Sequence, residues 1–158
     1  MAVTTAGAIR DVIIARIESR TPPTNGQYPY VPHRHDRMSL RRWASANPSA
    51  CYRHFSVEYR GDTEPVEVTD AVIEQVRGTF EIVIAYPNSN RFGNRLGLHD
   101  EMDSDLRYID RYAGTTGFSE TPTSNATIIS QAHAREDGDD EPVWFAVLTL
   151  SAAYKRAV

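Results

Sequence analysis

Val143-Trp144-Phe145-Ala146-Val147-Leu148-Thr149-Leu150-Ser151-Ala152-Ala153-Tyr154 is the stretch that decides the fold. Successive residues of a strand point to opposite faces, so Trp144, Ala146, Leu148, Leu150, Ala152 and Tyr154 share one face. Val143, Phe145, Val147, Thr149 and Ser151 share the other. A strand apolar on both sides belongs inside a sheet, covered on both faces. Upstream, Ala126–Arg135 is rich in Thr, Ile and Ala, and the charged run Glu136-Asp137-Gly138-Asp139-Asp140-Glu141-Pro142 cannot continue a strand. The spacing therefore predicts a long β-hairpin closing the domain.

Working outward, Thr79–Tyr86 (TFEIVIAY) reads as a second apolar strand ended by Pro87, and Tyr52–Arg60 (YRHFSVEYR) as a third. In the third, Arg53, Phe55, Val57 and Tyr59 alternate with His54, Ser56 and Glu58. Gly61-Asp62 reads as a turn, and Thr69–Gln75 as a turn of helix. Thr5–Ser19 is an amphipathic helix: Ile9, Val12, Ile13 and Ile17 fall on one stripe, Thr4 or Thr5 is its cap, and Thr21-Pro22-Pro23 ends it. Asp36–Ala46 reads as a short helix. Asp100–Tyr112 is the second main helix, with Met102, Leu106, Ile109 and Ala113 as its buried stripe and Gly114 as its stop. Asp100, Glu101 and Asp103 would then crowd its first turn, where the helix dipole favours negative charge.

Two long connections remain. Residues 21–36 contain four prolines and Asn25-Gly26, and residues 88–97 (NSNRFGNRLG) are rich in Gly and Asn. Connections of such length are functional or mobile, and both are read as interaction loops. The chain, residues 1–158, is expected to be a single α+β domain. Its antiparallel or mixed sheet has about four strands, flanked by two main helices.

Composition narrows the function classes. No run of about 18 apolar residues occurs, so no membrane-spanning helix is expected. A single cysteine, Cys51, excludes an intramolecular disulfide and reads as a small buried hydrophobe. The net charge is −4, but it is divided: residues 1–60 carry nine arginines and four acids, residues 61–158 eight basic residues and seventeen acids. A split of +5 against −9 suits head-to-tail association between copies. Arg34, Arg37, Arg41, Arg42 and Arg53, near Tyr52 and Trp43, could form a nucleic-acid patch. A solvated or subunit-contacting face fits the acidic remainder of the chain better. No Gly-x-Ser-x-Gly, no GKS or GKT phosphate loop and no dinucleotide glycine fingerprint occurs. His33-x-His35-Asp36, with His54, is the one set of metal-ligand type, and spacing fixes no third ligand. No metal or other cofactor is expected, and no catalytic residue is assigned.

The chain resembles the tail terminator (tail completion) proteins of long-tailed bacteriophages. The resemblance rests on the helix AIRDVIIARIESR, the Arg-x-Phe-x-Val strand at Arg53–Val57, the strand Phe80–Tyr86, the helix DEMDSDLRYIDRY and the closing strand ending LTLSAAY at Leu148–Tyr154. It covers nearly the whole chain. It implies a structural virion protein without enzymatic activity, forming a homo-hexameric ring at the head-proximal end of the tail tube. Such a ring ends tube growth and joins tail to head. The implied partners are identical subunits, the tail tube protein and the head-tail connector or head-closure protein. DNA would pass through the ring without being bound sequence-specifically. The implied location is the tail or neck of the virion, after assembly in the host cytoplasm. Candidate contact residues are Arg34, Arg37, Arg41, Arg42, Arg91 and Arg95. Two alternatives stand beside this reading: another head-tail connector or head-closure protein, and a small metal-dependent hydrolase using His33 and His35.

Overall fold

The computed structural model describes residues 5–34, 37–62, 67–68, 73–87, 95–116, 127–130 and 143–157. In chain order the elements are α1 (Ala6–Glu18), β1 (Val31–Pro32), α2 (Leu40–Ala46), β2 (His54–Asp62), β3 (Glu67–Val68), β4 (Ile73–Tyr86), α3 (Arg95–Thr116), β5 (Thr127–Ser130) and β6 (Trp144–Ala157). The class is α+β. The strands form one mixed sheet in the order β1-β2-β4-β6-β5, with β3 beside the far part of β4. Among the described residues only the β1–β2 pairing is parallel. Among the described residues the sheet has six strands rather than about four, because β1 and β3 are two residues each and too short to leave a periodicity in sequence.

The centre of the sheet is the pairing of β4 with β6, continuous from Ile73↔Ala157 to Tyr86↔Trp144. The alternation read in β6 is the one observed. Ala146, Leu148, Leu150, Ala152 and Tyr154 join Phe55, Val57, Phe80, Ile82 and Ile84 in one apolar layer, under Ile9, Ile13 and Ile17 of α1 and Leu98, Met102, Leu106 and Ile109 of α3. On the other face Val143, Phe145 and Val147 pack with Val83, Ala85, Cys51 and Leu40 and Ala44 of α2. Each fully buried large aliphatic or aromatic side chain contributes about 1.5–3 kcal/mol, so the larger layer dominates the fold. Cys51 is buried and its thiol points at the Pro48 carbonyl, 3.4 Å away, as a small core residue would.

Helix starts follow their caps. Thr5 Oγ1 accepts from the Ala8 amide at 3.1 Å and Ser39 Oγ from the Arg42 amide at 3.2 Å. Several boundaries differ from the sequence reading. Gly61 and Asp62 continue β2 through a bulge, with Gly61 at φ 121°, a conformation that glycine adopts without steric cost. Ile73–Gln75 extends β4 instead of forming helix, because it finds strand partners in β6. Helix α3 begins at Arg95, inside the expected 88–97 loop, and runs past Gly114 to Thr116. Expectations for residues 88–94 and 117–124 and for the 131–142 turn lie outside the described residues. Val31–Pro32, inside the expected 21–36 loop, forms an edge strand on β2. No described helix is long and apolar enough to cross a membrane.

Candidate functional site

Arg53 stands immediately before β2 with φ 56°, the left-handed region, yet its side chain has no solvent exposure. Holding a non-glycine residue there costs of order 1–3 kcal/mol, so something must fix it. Its backbone is held by Arg53 N donating to the Ala85 carbonyl at 2.8 Å and its own carbonyl accepting from Val31 N at 3.0 Å. Its guanidinium donates six hydrogen bonds. Nε reaches Asp105 Oδ2 at 2.8 Å. Nη1 reaches the carbonyls of Asn25 (2.9 Å) and Tyr28 (3.0 Å), and Nη2 reaches the Thr24 carbonyl (2.7 Å), Glu101 Oε1 (2.8 Å) and Asp105 Oδ1 (3.2 Å).

The two acids are themselves saturated. Asp105 accepts from the Tyr30 hydroxyl at 2.9 Å and the Tyr86 hydroxyl at 2.6 Å. Glu101 accepts from the Tyr52 hydroxyl and, at 3.3 Å, from Asn25 Nδ2. Tyr28 stacks on Tyr52 with ring centroids 4.3 Å apart. Burial raises the Asp105 carboxyl above its usual range, opposed by the Arg53 guanidinium and the tyrosine hydroxyls. Burial first, then Asp105, pushes the Tyr30 and Tyr86 phenols well up, and burial first, then Glu101, does the same to Tyr52.

This cluster ties four parts of the chain together: the 24–30 segment, the start of β2, the end of β4 and the middle of α3. Its ionisable groups are bonded to one another, an arrangement suited to fixing a loop against a sheet. It also corrects the reading of the acidic run. Because α3 starts at Arg95, Asp100–Asp105 is not its first turn. Glu101 and Asp105, four residues apart, turn inward to Arg53; Asp103 pairs with Arg107 at 2.8 Å on the surface.

A second feature is open. A cleft of about 400 Å³ lies at the β1–β2 edge, between α1 and the start of α2, lined by Arg10, His33, Arg37, Ser39, Ser56 and Glu58 among others. Arg10 Nε donates to the Val57 carbonyl at 2.6 Å, which anchors the stem of its guanidinium at the cleft wall. Glu58 is held by Arg60 at 2.8 Å. Ser56 Oγ is buried and finds no hydrogen-bond partner among the described residues.

Of the candidate contact residues, Arg37 lines this cleft. Arg34 is exposed before it, 3.6 Å from Glu18. Arg41 lies on α2 with its guanidinium 5.0 Å from the Phe145 ring centre, and Arg42 is exposed on the same helix. Arg95 is the first residue of α3, but its side chain, like the whole of Arg91, lies outside the described residues. The structure thus gathers Arg37 with Arg10 and His33, while Arg41 joins the sheet's second face. Of the histidine set, His33 Nε2 is 2.6 Å from the Met38 carbonyl, and both His33 and His54 lie beside the Trp43 ring. His35 is outside the described residues. Among the described residues no three His, Cys, Asp or Glu side chains gather as a metal site would need.

Arg10 and Ser56 were not singled out from the sequence. Arg10 sits on the polar side of α1, and Ser56 on the face of β2 opposite Phe55 and Val57, positions that sequence alone reads as solvated. Compared with known proteins, no family model matches the chain and no characterised protein matches it.

Proposed function

We propose that this protein is a structural subunit of a phage tail. In this reading it forms a ring of identical copies at the head-proximal end of the tail tube, ends tube growth and joins the tail to the head connector. The observation that carries the reading is the order of elements. An N-terminal helix, an Arg-x-Phe-x-Val strand, a long apolar strand, a helix and a closing strand follow one another as in the tail terminators the sequence resembles, and all the described strands belong to one sheet. The open sheet, with β1 at one end and β5 at the other, favours this over a head-closure protein built as a small barrel.

Ring closure needs head-to-tail contacts between unlike surfaces, which the charge division of the chain can supply. Loop 24–30 is already fixed from within by Arg53, so a contact made through it would not bear the entropy of ordering it.

The test is biochemical. Purified protein added to polymerising tail tube protein of the same phage should bind one end of each tube and stop elongation, seen by negative-stain microscopy. Tubes that grow to the same lengths with and without the protein would refute the proposal.

A further inference from the structure

We propose that Asn25–Gly26 is a self-modifying site. There the folded chain converts Asn25 to aspartate and isoaspartate, assisted by Arg53 and Glu101, and so loosens the 24–30 segment. The chemistry needs only the folded chain and holds with or without the tail function.

Asn25–Gly26 is the one Asn-Gly pair of the sequence. Both residues are exposed, and among the described residues no hydrogen bond holds the Gly26 amide. Glycine has no side chain to obstruct its own nitrogen, so that nitrogen can close on Asn25 Cγ within the same chain. The nucleophile is the deprotonated Gly26 amide, whose negative charge is shared with the Asn25 carbonyl oxygen. That oxygen accepts from Arg53 Nη1 at 2.9 Å and from the Tyr28 amide at 3.0 Å. A buried guanidinium and an N–H thus face the atom on which charge develops, as the donors of an oxyanion hole do. Arg53 is fixed by Asp105 and Glu101, so it need not reorganise as that charge appears. The leaving nitrogen also has a partner. Asn25 Nδ2 donates to Glu101 Oε1 at 3.3 Å, which puts a carboxylate beside the nitrogen as it gains a proton and departs.

In the first step Gly26 N gives its proton to hydroxide and bonds to Asn25 Cγ. The Cγ–Nδ2 bond breaks, and Nδ2 leaves as ammonia with a proton taken from water. Water then opens the succinimide. Cleavage between Gly26 N and Cγ gives aspartate. Cleavage between Gly26 N and the Asn25 backbone carbon gives isoaspartate, with the main chain rerouted through Cβ and Cγ. Either product disturbs the cluster. In aspartate a carboxylate replaces the amide donor and faces Glu101, a like-charge pair. In isoaspartate the main chain is longer, so the turn that the Tyr28 amide closes on the Asn25 carbonyl no longer spans the same atoms.

The experiment incubates the full chain at neutral and mildly alkaline pH beside a synthetic peptide of residues 21–30. Peptide mapping by mass spectrometry measures conversion at Asn25, and retention separates isoaspartate from aspartate. Conversion in the folded chain should equal or exceed that of the peptide, although a fixed loop without such groups would slow it. It should rise in proportion to hydroxide. Gly26→Ala should slow it at least about tenfold in chain and peptide alike. Arg53→Lys keeps the cation but not the fork and should slow it about tenfold in the chain, with circular dichroism checking the fold. The converted chain separates by anion exchange through its added negative charge. Its amide hydrogens over residues 24–30 should exchange at least about tenfold faster than those of the unconverted chain.

A folded chain that converts more slowly than the peptide removes Arg53 and Glu101 from the chemistry and overturns the proposal. So does a folded Arg53→Lys variant that converts like the wild type, or a converted chain whose exchange over 24–30 is unchanged. If Arg53→Lys does not fold, the comparison of chain with peptide decides by itself.

Discussion

Replacing Arg53 by Met tests whether the buried cluster holds the fold together. Methionine keeps much of the length and apolar contact of the side chain but removes all six donated hydrogen bonds. Asp105 and Glu101 are then left in the interior without their cation, and the Thr24, Asn25 and Tyr28 carbonyls each lose the guanidinium donor, Asn25 keeping only the Tyr28 amide. Breaking one side of a buried ion pair costs about 3–5 kcal/mol, most of it the penalty on the stranded charge. For a domain with a urea slope of about 2 kcal/mol per molar, the unfolding midpoint should fall by about 1.5–2.5 M. Arg53→Lys keeps the charge but cannot reproduce the planar fork, so it should lose a substantial part of the same stability. Adding Asp105→Leu to Arg53→Met should cost less than the sum of the two single changes, because one of the two stranded carboxylates is gone. Urea unfolding followed by tryptophan fluorescence reads all four variants, Arg53→Met, Arg53→Lys, Asp105→Leu and the double. A loss under about 1 kcal/mol for Arg53→Met at unchanged slope would refute the assignment of the cluster as a structural anchor.

Leu148 is fully buried at the centre of β6, and Leu148→Asp places an unpaired carboxylate there. It should abolish soluble expression, and a soluble, cooperatively unfolding variant would displace β6 from the core. At Gly78 an added Cβ would stand 3.0 Å from Tyr154 Cε1 and 3.1 Å from Phe80 Cε2. Gly78→Ala should therefore destabilise by about 1–3 kcal/mol, measured by thermal unfolding. The Tyr30, Tyr52, Tyr86 and Tyr154 phenols are all raised above 10 in the folded protein, burial being the largest cause. Their stabilising contribution is complete below the unfolded value of about 10 and is lost as pH rises above it, because only the unfolded chain releases those protons. Phenolate absorbance should accordingly rise in a cooperative step that coincides with alkaline unfolding; independent titration of Tyr30, Tyr52 and Tyr86 in the folded state would contradict the cluster's burial.

The apolar skeleton was legible because its signal is local. Alternation in Val143–Tyr154 reappears as the faces it predicts, and of the expected α1 stripe Ile9, Ile13 and Ile17 are buried whereas Val12 is 38% exposed. The ends of elements were less legible, since pairing decided them: Ile73–Gln75 has a neutral sequence and becomes strand because β6 is long enough to reach it. The Arg53 cluster joins residues about fifty positions apart, and no window of sequence contains it. Its trace was nevertheless present. Leu98, Glu101, Met102, Asp105, Leu106 and Ile109 follow the helical period, so two acids lie on the buried stripe of α3, and Arg53 shares a face with Phe55 and Val57. Acids and an arginine in phase with a core announce a buried pair. The cleft left a weaker trace: of its cations Arg37 was legible by charge, whereas Arg10 acquires its role from the β2 edge it meets.

The central claim is that the protein ends a phage tail and joins it to the head, and deletion of its gene from the phage, followed by electron microscopy of the lysate, tests that most directly. The account predicts filled heads without tails beside free tails of irregular or excessive length, with joining restored when the gene is supplied in trans. Tails of normal length that still attach to heads in the deletion would contradict it.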